Sequence, residues 1–134
     1  MDVQELYRRY AAGERDFSGL DLSHANFNVA KIGDIRDISP GQNELSGINL
    51  SGANLTRADL SFVNLRCAKL SNANLEFAIL LGTILSAADL SDTILDYAEL
   101  GGKLIGADLR KASLFCTLLN CTDLTEQIVP EVLT

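Results

Sequence analysis

The residues that could do chemistry in this 134-residue chain are few, and their spacing sets most of that chemistry aside. The one histidine, His24, has no cysteine or second histidine at a metal-ligand or nucleophile-base spacing, so it reads as an outward or corner residue. Three cysteines, Cys67, Cys116 and Cys121, form no zinc pattern and leave an odd count for disulfides, so free thiols are expected. Carboxylates such as Asp59, Asp89 and Asp108 recur at regular intervals and read as solvated positions of a pattern rather than an acid/base pair. No glycine-rich phosphate loop is present. Neither an enzyme nor a cofactor is expected, which leaves a surface that binds something.

The elements that carry those residues are set by a five-residue period. Leu stands at 45, 50, 55, 60, 65, 70, 75, 80, 85, 90, 95 and 100. One residue is then lost, and Leu returns at 104, 109, 114, 119 and 124. An earlier block runs through Phe17, Leu22, Phe27 and Ile32. Two residues before most centres sits something small, such as Ala53, Ala58, Ala73 or Thr93. An α-helix turns about 100° per residue and would scatter every fifth side chain around its surface. A straight strand would flip every fifth residue to the opposite side. All centres point inward only if the chain runs extended for a few residues, turns a corner, and repeats. Successive coils then pair as parallel strands, and the strong bias of parallel crossovers makes the coil right-handed. The period does not by itself choose three sides or four. Aromatics make up only 6% of the chain and Trp is absent, which suits a narrow core of Leu, Ile and Ala.

Units such as Ala53-Asn54-Leu55-Thr56-Arg57, Ala58-Asp59-Leu60-Ser61-Phe62 and Ala88-Asp89-Leu90-Ser91-Asp92 carry an A(D/N)LXX motif. On these the chain resembles the pentapeptide-repeat family, and its Arg15-Asp16-Phe17-Ser18-Gly19 opening after a short helix looks like cyanobacterial members. The resemblance implies an all-β solenoid, a right-handed quadrilateral β-helix with four units per coil. Twenty-one units then give about five coils, roughly 25 Å of rod. The expected organisation is an N-terminal α-helical cap at 1–14, a repeat body at 15–125 with an inserted loop at 33–44, and a C-terminal cap or tail at 126–134. For the helix, Asp2 with Glu5 reads as a capping box, Val3, Leu6, Tyr7 and Tyr10 as its apolar stripe, and Gly13 as its stop.

Four units per coil stack residues twenty apart, or nineteen across the lost residue. Arg57, Phe77, Tyr97 and Cys116 then share a column, a candidate ladder of one cation and two rings. Ile79 and Leu81 flank Leu80, with Phe62 one coil earlier and Ile84 round the next corner; these outward apolar residues are the candidate interaction patch. The loop residues Ile35, Arg36, Ile38 and Pro40 are a further candidate, since loops on rigid scaffolds carry function.

The formal charge is −7, which disfavours sequence-independent binding to nucleic-acid phosphates or anionic membranes. The apolar run Phe77–Ala88 is too short to span a bilayer and obeys the repeat, so a cytoplasmic protein is expected. The expected function is a non-catalytic interaction or scaffold module. Its partner is a protein of unidentified kind, or a second copy through the C-terminal end or an apolar face. The alternative is one the resemblance implies, an acidic DNA mimic acting on DNA gyrase or a topoisomerase. Against it, residues 45–125 hold eight acids and six bases, too balanced a body for a mimic.

Overall fold

The computed structural model describes residues 1–28 and 43–119. Every backbone bridge in it is parallel, and the offsets define the architecture. Asn49 pairs with Lys69, Asn54 with Asn74, Asp59 with Ile79 and Asn64 with Ile84, each twenty residues on. A five-residue unit with a twenty-residue ladder means four sides per coil. The first face carries Asp16, Asn49, Lys69, Asp89 and Asp108; the second Asp21, Asn54, Asn74, Ile94 and Ser113. The third carries Asn26, Asp59, Ile79, Glu99 and Leu118, and the fourth Glu44, Asn64, Ile84 and Lys103. The offset between the earliest units and the next coil is thirty-three rather than twenty, as in Asp16 with Asn49, so thirteen extra residues enter on one side. Leu45 takes that fourth side, and Glu44 already belongs to the coil, one residue earlier than the sequence pattern put the loop's end.

Inside the coil, the centres stack. Leu50, Leu70, Leu90 and Leu109 are all buried, and the Leu50, Leu70 and Leu90 amides donate to the carbonyls of Lys69, Asp89 and Asp108 at 2.7–2.8 Å. The small residues fill the gaps between these columns: Ala53, Ala58, Ala73 and Ala98 are buried, and so are Thr83 and Thr93. Their hydroxyls donate to the Leu60 and Leu90 carbonyls, so the core accepts a threonine without an unmade hydrogen bond.

Most corners are turns closed from the first residue to the fourth with a left-handed third residue, as in a type II turn. The Leu50 carbonyl accepts from Ala53, and Gly52 between them has φ 67°, the left-handed value that the third turn position requires. Because turns follow so closely, most pairings are single bridges, and among the described residues only three stretches lengthen into strands: β1 (Ile79–Ile84), β2 (Glu99–Lys103) and β3 (Leu118–Leu119), in the order β1-β2-β3. The lost residue lies here. Leu81 pairs with Gly101, but Ile84 pairs with Lys103, so the register shifts across the bulge between them. At its centre a Cβ on Gly102 would come within 1.9 Å of the Thr83 carbonyl oxygen, and only a glycine lets the two backbones approach so closely.

Helix α1 (Val3–Ala11) begins as expected, with the Asp2 carboxylate accepting from the Glu5 amide at 2.8 Å. The reciprocal half of the capping box is missing, because the Glu5 carboxylate pairs forward with Arg8 instead. Leu6 is fully buried and Val3, Tyr7 and Tyr10 pack partly against the core. The two phenols pin the helix to the coil: Tyr7 donates to the Phe27 carbonyl and Tyr10 to that of Ser46. Burial pushes the Tyr7 phenol well above its usual range, and the charge of Glu44 adds to that.

Replacing Leu70 by Ala should cost about 2–5 kcal/mol in chemical denaturation, because the cavity is walled by coils above and below; a loss below about 1 kcal/mol would mean that Leu70 is not in a packed layer. Gly102→Ala should destabilise more than Gly52→Ala. The first forces backbone apart, whereas the second adds a methyl to open space and costs only the left-handed strain, roughly 1 kcal/mol. Equal losses would place the bulge elsewhere.

Candidate interaction surface

The repeat's Asp or Asn positions turn out to be structural. The side-chain oxygen of Asp16, Asp21, Asn49, Asn54, Asp59 and Asp89 each accepts from the backbone N–H two residues on, at 3.0–3.1 Å. Reading them as merely solvated missed this: each closes the corner that follows it, which is why Asp and Asn interchange there. The signal was present in the sequence as the Asp/Asn alternation itself. At Asp16, Asp21, Asn54 and Asp89 the hydroxyl that follows adds a second bond, as Ser18 does to Asp16 at 2.7 Å. These bonds favour the ionised carboxylate. The Ser18 and Ser23 hydroxyls, then the corner amides, hold Asp16 and Asp21 below their ordinary values, and the Arg110 guanidinium does the same for Asp108. For Glu44, burial works against the charge, but the Ser46 and Asn64 donors and nearby Arg15 prevail and lower it.

The expected ladder forms at the corner between the second and third faces. The Arg57 guanidinium lies 4.5 Å from the centre of the Phe77 ring. Phe77 and Tyr97 stack at 4.9 Å, only 7° from parallel. The next step differs from the sequence reading: Phe115, the residue before Cys116, meets Tyr97 edge-on at 5.6 Å, while Cys116 stays exposed. A column of corner positions predicts which backbone lies below which, but a neighbour's side chain can swing in. Phe115 is 63% exposed, the largest free ring surface of the three.

The apolar patch is brought together only in part. Phe62 is 64% exposed and lies over Gly82, where an added Cβ would meet its ring at 2.7 Å. Leu81 is exposed beside it, but Ile79 and Ile84 are half-buried and not open to solvent as expected. The reason is the ladder spacing of about 4.8 Å, which makes side chains along one face shield one another. Ile84 is moreover on the fourth face, round the corner from Ile79. The patch and the ladder therefore border the same third face from its two corners.

His24 sits at a left-handed corner with φ 62°, and Cys67 and Cys116 are free thiols at corners of different faces. Ile35, Arg36, Ile38 and Pro40 lie outside the described residues, as do Ile32, Cys121 and the tail from 126. Among the described residues no group of three or more His, Cys, Asp or Glu could hold a metal ion, and no helix is long and apolar enough to cross a membrane.

The family profile described as pentapeptide repeats matches residues 44–72 and 68–102, in eight copies. Among solved structures, the chain is similar to HetL, a pentapeptide repeat protein of the cyanobacterium Nostoc sp. strain PCC 7120 (TM-score 0.81, 34% identity over 93% of this chain). It spans about half of HetL, 48% of that chain. It is also similar to alr5209 of Nostoc PCC 7120 (TM-score 0.70, 31% identity, 88% of this chain and 95% of that one). Rfr23 of Cyanothece 51142 matches with TM-score 0.62 and 27% identity, over 94% of this chain and 97% of that one. No curated protein sequence matches the chain.

Acid should expose the corner bonds. Because the folded carboxyls of Asp16, Asp21 and Asp108 are held low, their stabilisation is complete above the unfolded carboxylate range, near pH 4, and is lost as pH falls through the folded values below it. The triple change to Asn keeps the acceptor and removes the charge, so its stability between about pH 4 and pH 2 should fall less steeply than the parent's. Parallel acid limbs in urea melts would show that these carboxylates are not the titrating groups.

Proposed function

The chain belongs to the pentapeptide-repeat family, and from that premise we propose that it is a non-catalytic interaction module. In this reading it is a cytoplasmic right-handed rod of about five coils. Residues 1–14 close its first end through α1, and the body from residue 15 onward presents side chains to a protein partner. The observation that carries the proposal is the set of large apolar side chains left outward where the coil does not need them. Phe62 and Leu81 stand at one corner of the third face, and Phe77, Tyr97 and Phe115 at the other, all exposed. Equivalent positions elsewhere hold Ser51, Gly52, Asn72 or Asp92, so the fold tolerates polar residues there. Apolar side chains grouped along one side in this way suit a contact surface. HetL is described as involved in heterocyst differentiation regulation, which supports a regulatory binding role of the same kind here.

The DNA-mimic reading draws less support. A duplex mimic needs carboxylates in an unbroken row, but on the first face Lys69 interrupts Asp16, Asp89 and Asp108, and Arg110 pairs with Asp108 at 2.7 Å.

The double change Ile79→Ser with Leu81→Ser tests the module. Light scattering and cross-linking should show loss of self-association or of a partner already identified with the parent. Stability should fall by about 1–3 kcal/mol with the fold retained, since Ile79 is half-buried but neither residue is a core centre. Unchanged association would remove the patch from the proposal. A gyrase supercoiling assay on the parent separates the mimic, which alone would inhibit it.

A further inference from the structure

Charge is distributed unevenly around this rod. The corner that carries the rings also carries Glu76 and Asp96, each stacked in the column just before Phe77 and Tyr97. The adjoining third face adds Asp59 and Glu99. Of the bases between residues 45 and 119, only Arg57 lies on this side. Lys69, Arg110 and Lys111 belong to the first face and the corner after it, and Arg66 and Lys103 to the fourth face and its corner. One long edge is therefore acidic and aromatic, whereas the opposite side mixes these bases with Glu44, Asp89, Asp92 and Asp108. The rings are not demanded by the coil, which tolerates His24 and Cys116 at the same corner positions; of the carboxylates, Asp96 holds the Ser113 hydroxyl and the Phe115 amide through one oxygen.

The molecule already shows what such an edge accepts. Arg57 lays its guanidinium on Phe77, and the run of rings continues from there to Tyr97 and to Phe115, which is 63% exposed and among the described residues carries no such cation. A guanidinium is a planar, weakly hydrated cation that stacks on ring faces and takes a carboxylate in its plane, so rings flanked by Glu76, Asp96 and Glu99 offer both halves of its recognition. The carboxylates also set up an attractive field for a basic chain before contact.

We infer that this edge, Phe77, Tyr97 and Phe115 with Glu76, Asp96 and Glu99, is a docking surface for an arginine-bearing basic segment of a partner protein. The inference rests on the interaction-module reading and gives that module the chemistry of its partner. The partner runs along the rod axis, placing cationic side chains on successive rings. Lysine at the same places keeps the charge attraction and loses most of the planar stacking.

The experiment uses the full chain and a nona-arginine peptide, with nona-lysine as its charge-matched control. Titration followed by backbone amide shifts should move Glu76, Phe77, Asp96, Tyr97 and Phe115 first, with nona-arginine the tighter binder at moderate salt. Tyr97→Ser with Phe115→Ser, checked for an unchanged circular dichroism spectrum, should weaken nona-arginine binding roughly ten-fold and nona-lysine binding far less. Glu76→Gln with Glu99→Gln should weaken both. Shifts spread equally to Asp89, Asp92 and Asp108, or equal affinity for the two peptides with no effect of the ring changes, would overturn the inference. In that case the module reading stands or falls separately, on the Ile79 and Leu81 pair.

Discussion

Nearly everything in this molecule depends on one backbone device, the left-handed residue that turns all but a few of its corners; the corner after Leu100, one residue short, turns without it. Where it is used, the cost is strain that L-residues normally avoid. Among the described residues eleven non-glycine residues hold φ between 54° and 62°, from His24 to Cys116. Each such conformation costs on the order of 1 kcal/mol. Hydrogen bonding between coils offsets this. The corner amides of Arg57, Phe62, Phe77 and Tyr97 donate to the carbonyls of Glu76, Leu81, Asp96 and Phe115 in the coil below, at 2.9–3.0 Å. A corner is thus held from two directions, by its own turn and by its neighbour. The side chain there takes no part in either bond, which explains how Arg, Phe, Cys, Asn, Tyr and Lys all occupy it.

The Asp/Asn acceptor adds a third support, and the places that lack it are informative. Early coils keep it on nearly every face, in Asp16, Asp21, Asn26, Asn49, Asn54 and Asp59. Later coils keep it at Asn74, Asp89 and Asp108 but replace it elsewhere with Ile79, Ile84, Ile94 and Leu118, which have no side-chain oxygen to offer the corner amide. Those replacements forgo a hydrogen bond worth about 1 kcal/mol. What they gain is apolar surface, half-buried along a face or exposed as in Ile94 and Leu118. Positions where a structural bond is given up for outward hydrophobicity are the ones at which the sequence departs from what the fold alone asks.

Much of this was legible in the sequence because period and position are nearly the same thing in a coil. Once five residues make a side and four sides a turn, the vertical neighbours of Arg57 and Leu70 follow by counting, and the lost residue after Leu100 had to appear as a register shift. Counting stops at the side chain. It could not show that Phe115 would displace Cys116 as the ladder's next member, since that depends on which way a ring folds at the corner. Nor could it show that Ile79 and Ile84 are half-covered, because burial along a face depends on the bulk of the residues above and below. The role of the carboxylates was missed for a different reason. Their alternation with Asn was visible, but a hydrogen bond to an amide two residues away is a property of the turn type, which the period leaves open.

The same device explains how a fold with so monotonous an interior can carry specific information outside. Parallel coils fix the axial spacing of equivalent side chains, and the corner bonds fix their direction, so an outward substitution changes chemistry at a known place without moving its neighbours. The ladder shows the consequence. Phe77 and Tyr97 stack within 7° of parallel because the corners beneath them repeat, with no contribution from the core leucines behind them. A loop-built site must order its own backbone before it can present two rings in register; here that ordering is complete before any partner arrives, and binding bears little of the entropic cost. Specificity then reduces to which side chains stand on which of four edges, and among residues 45–119 the edge with the rings is also the edge that carries no Lys or Arg but Arg57.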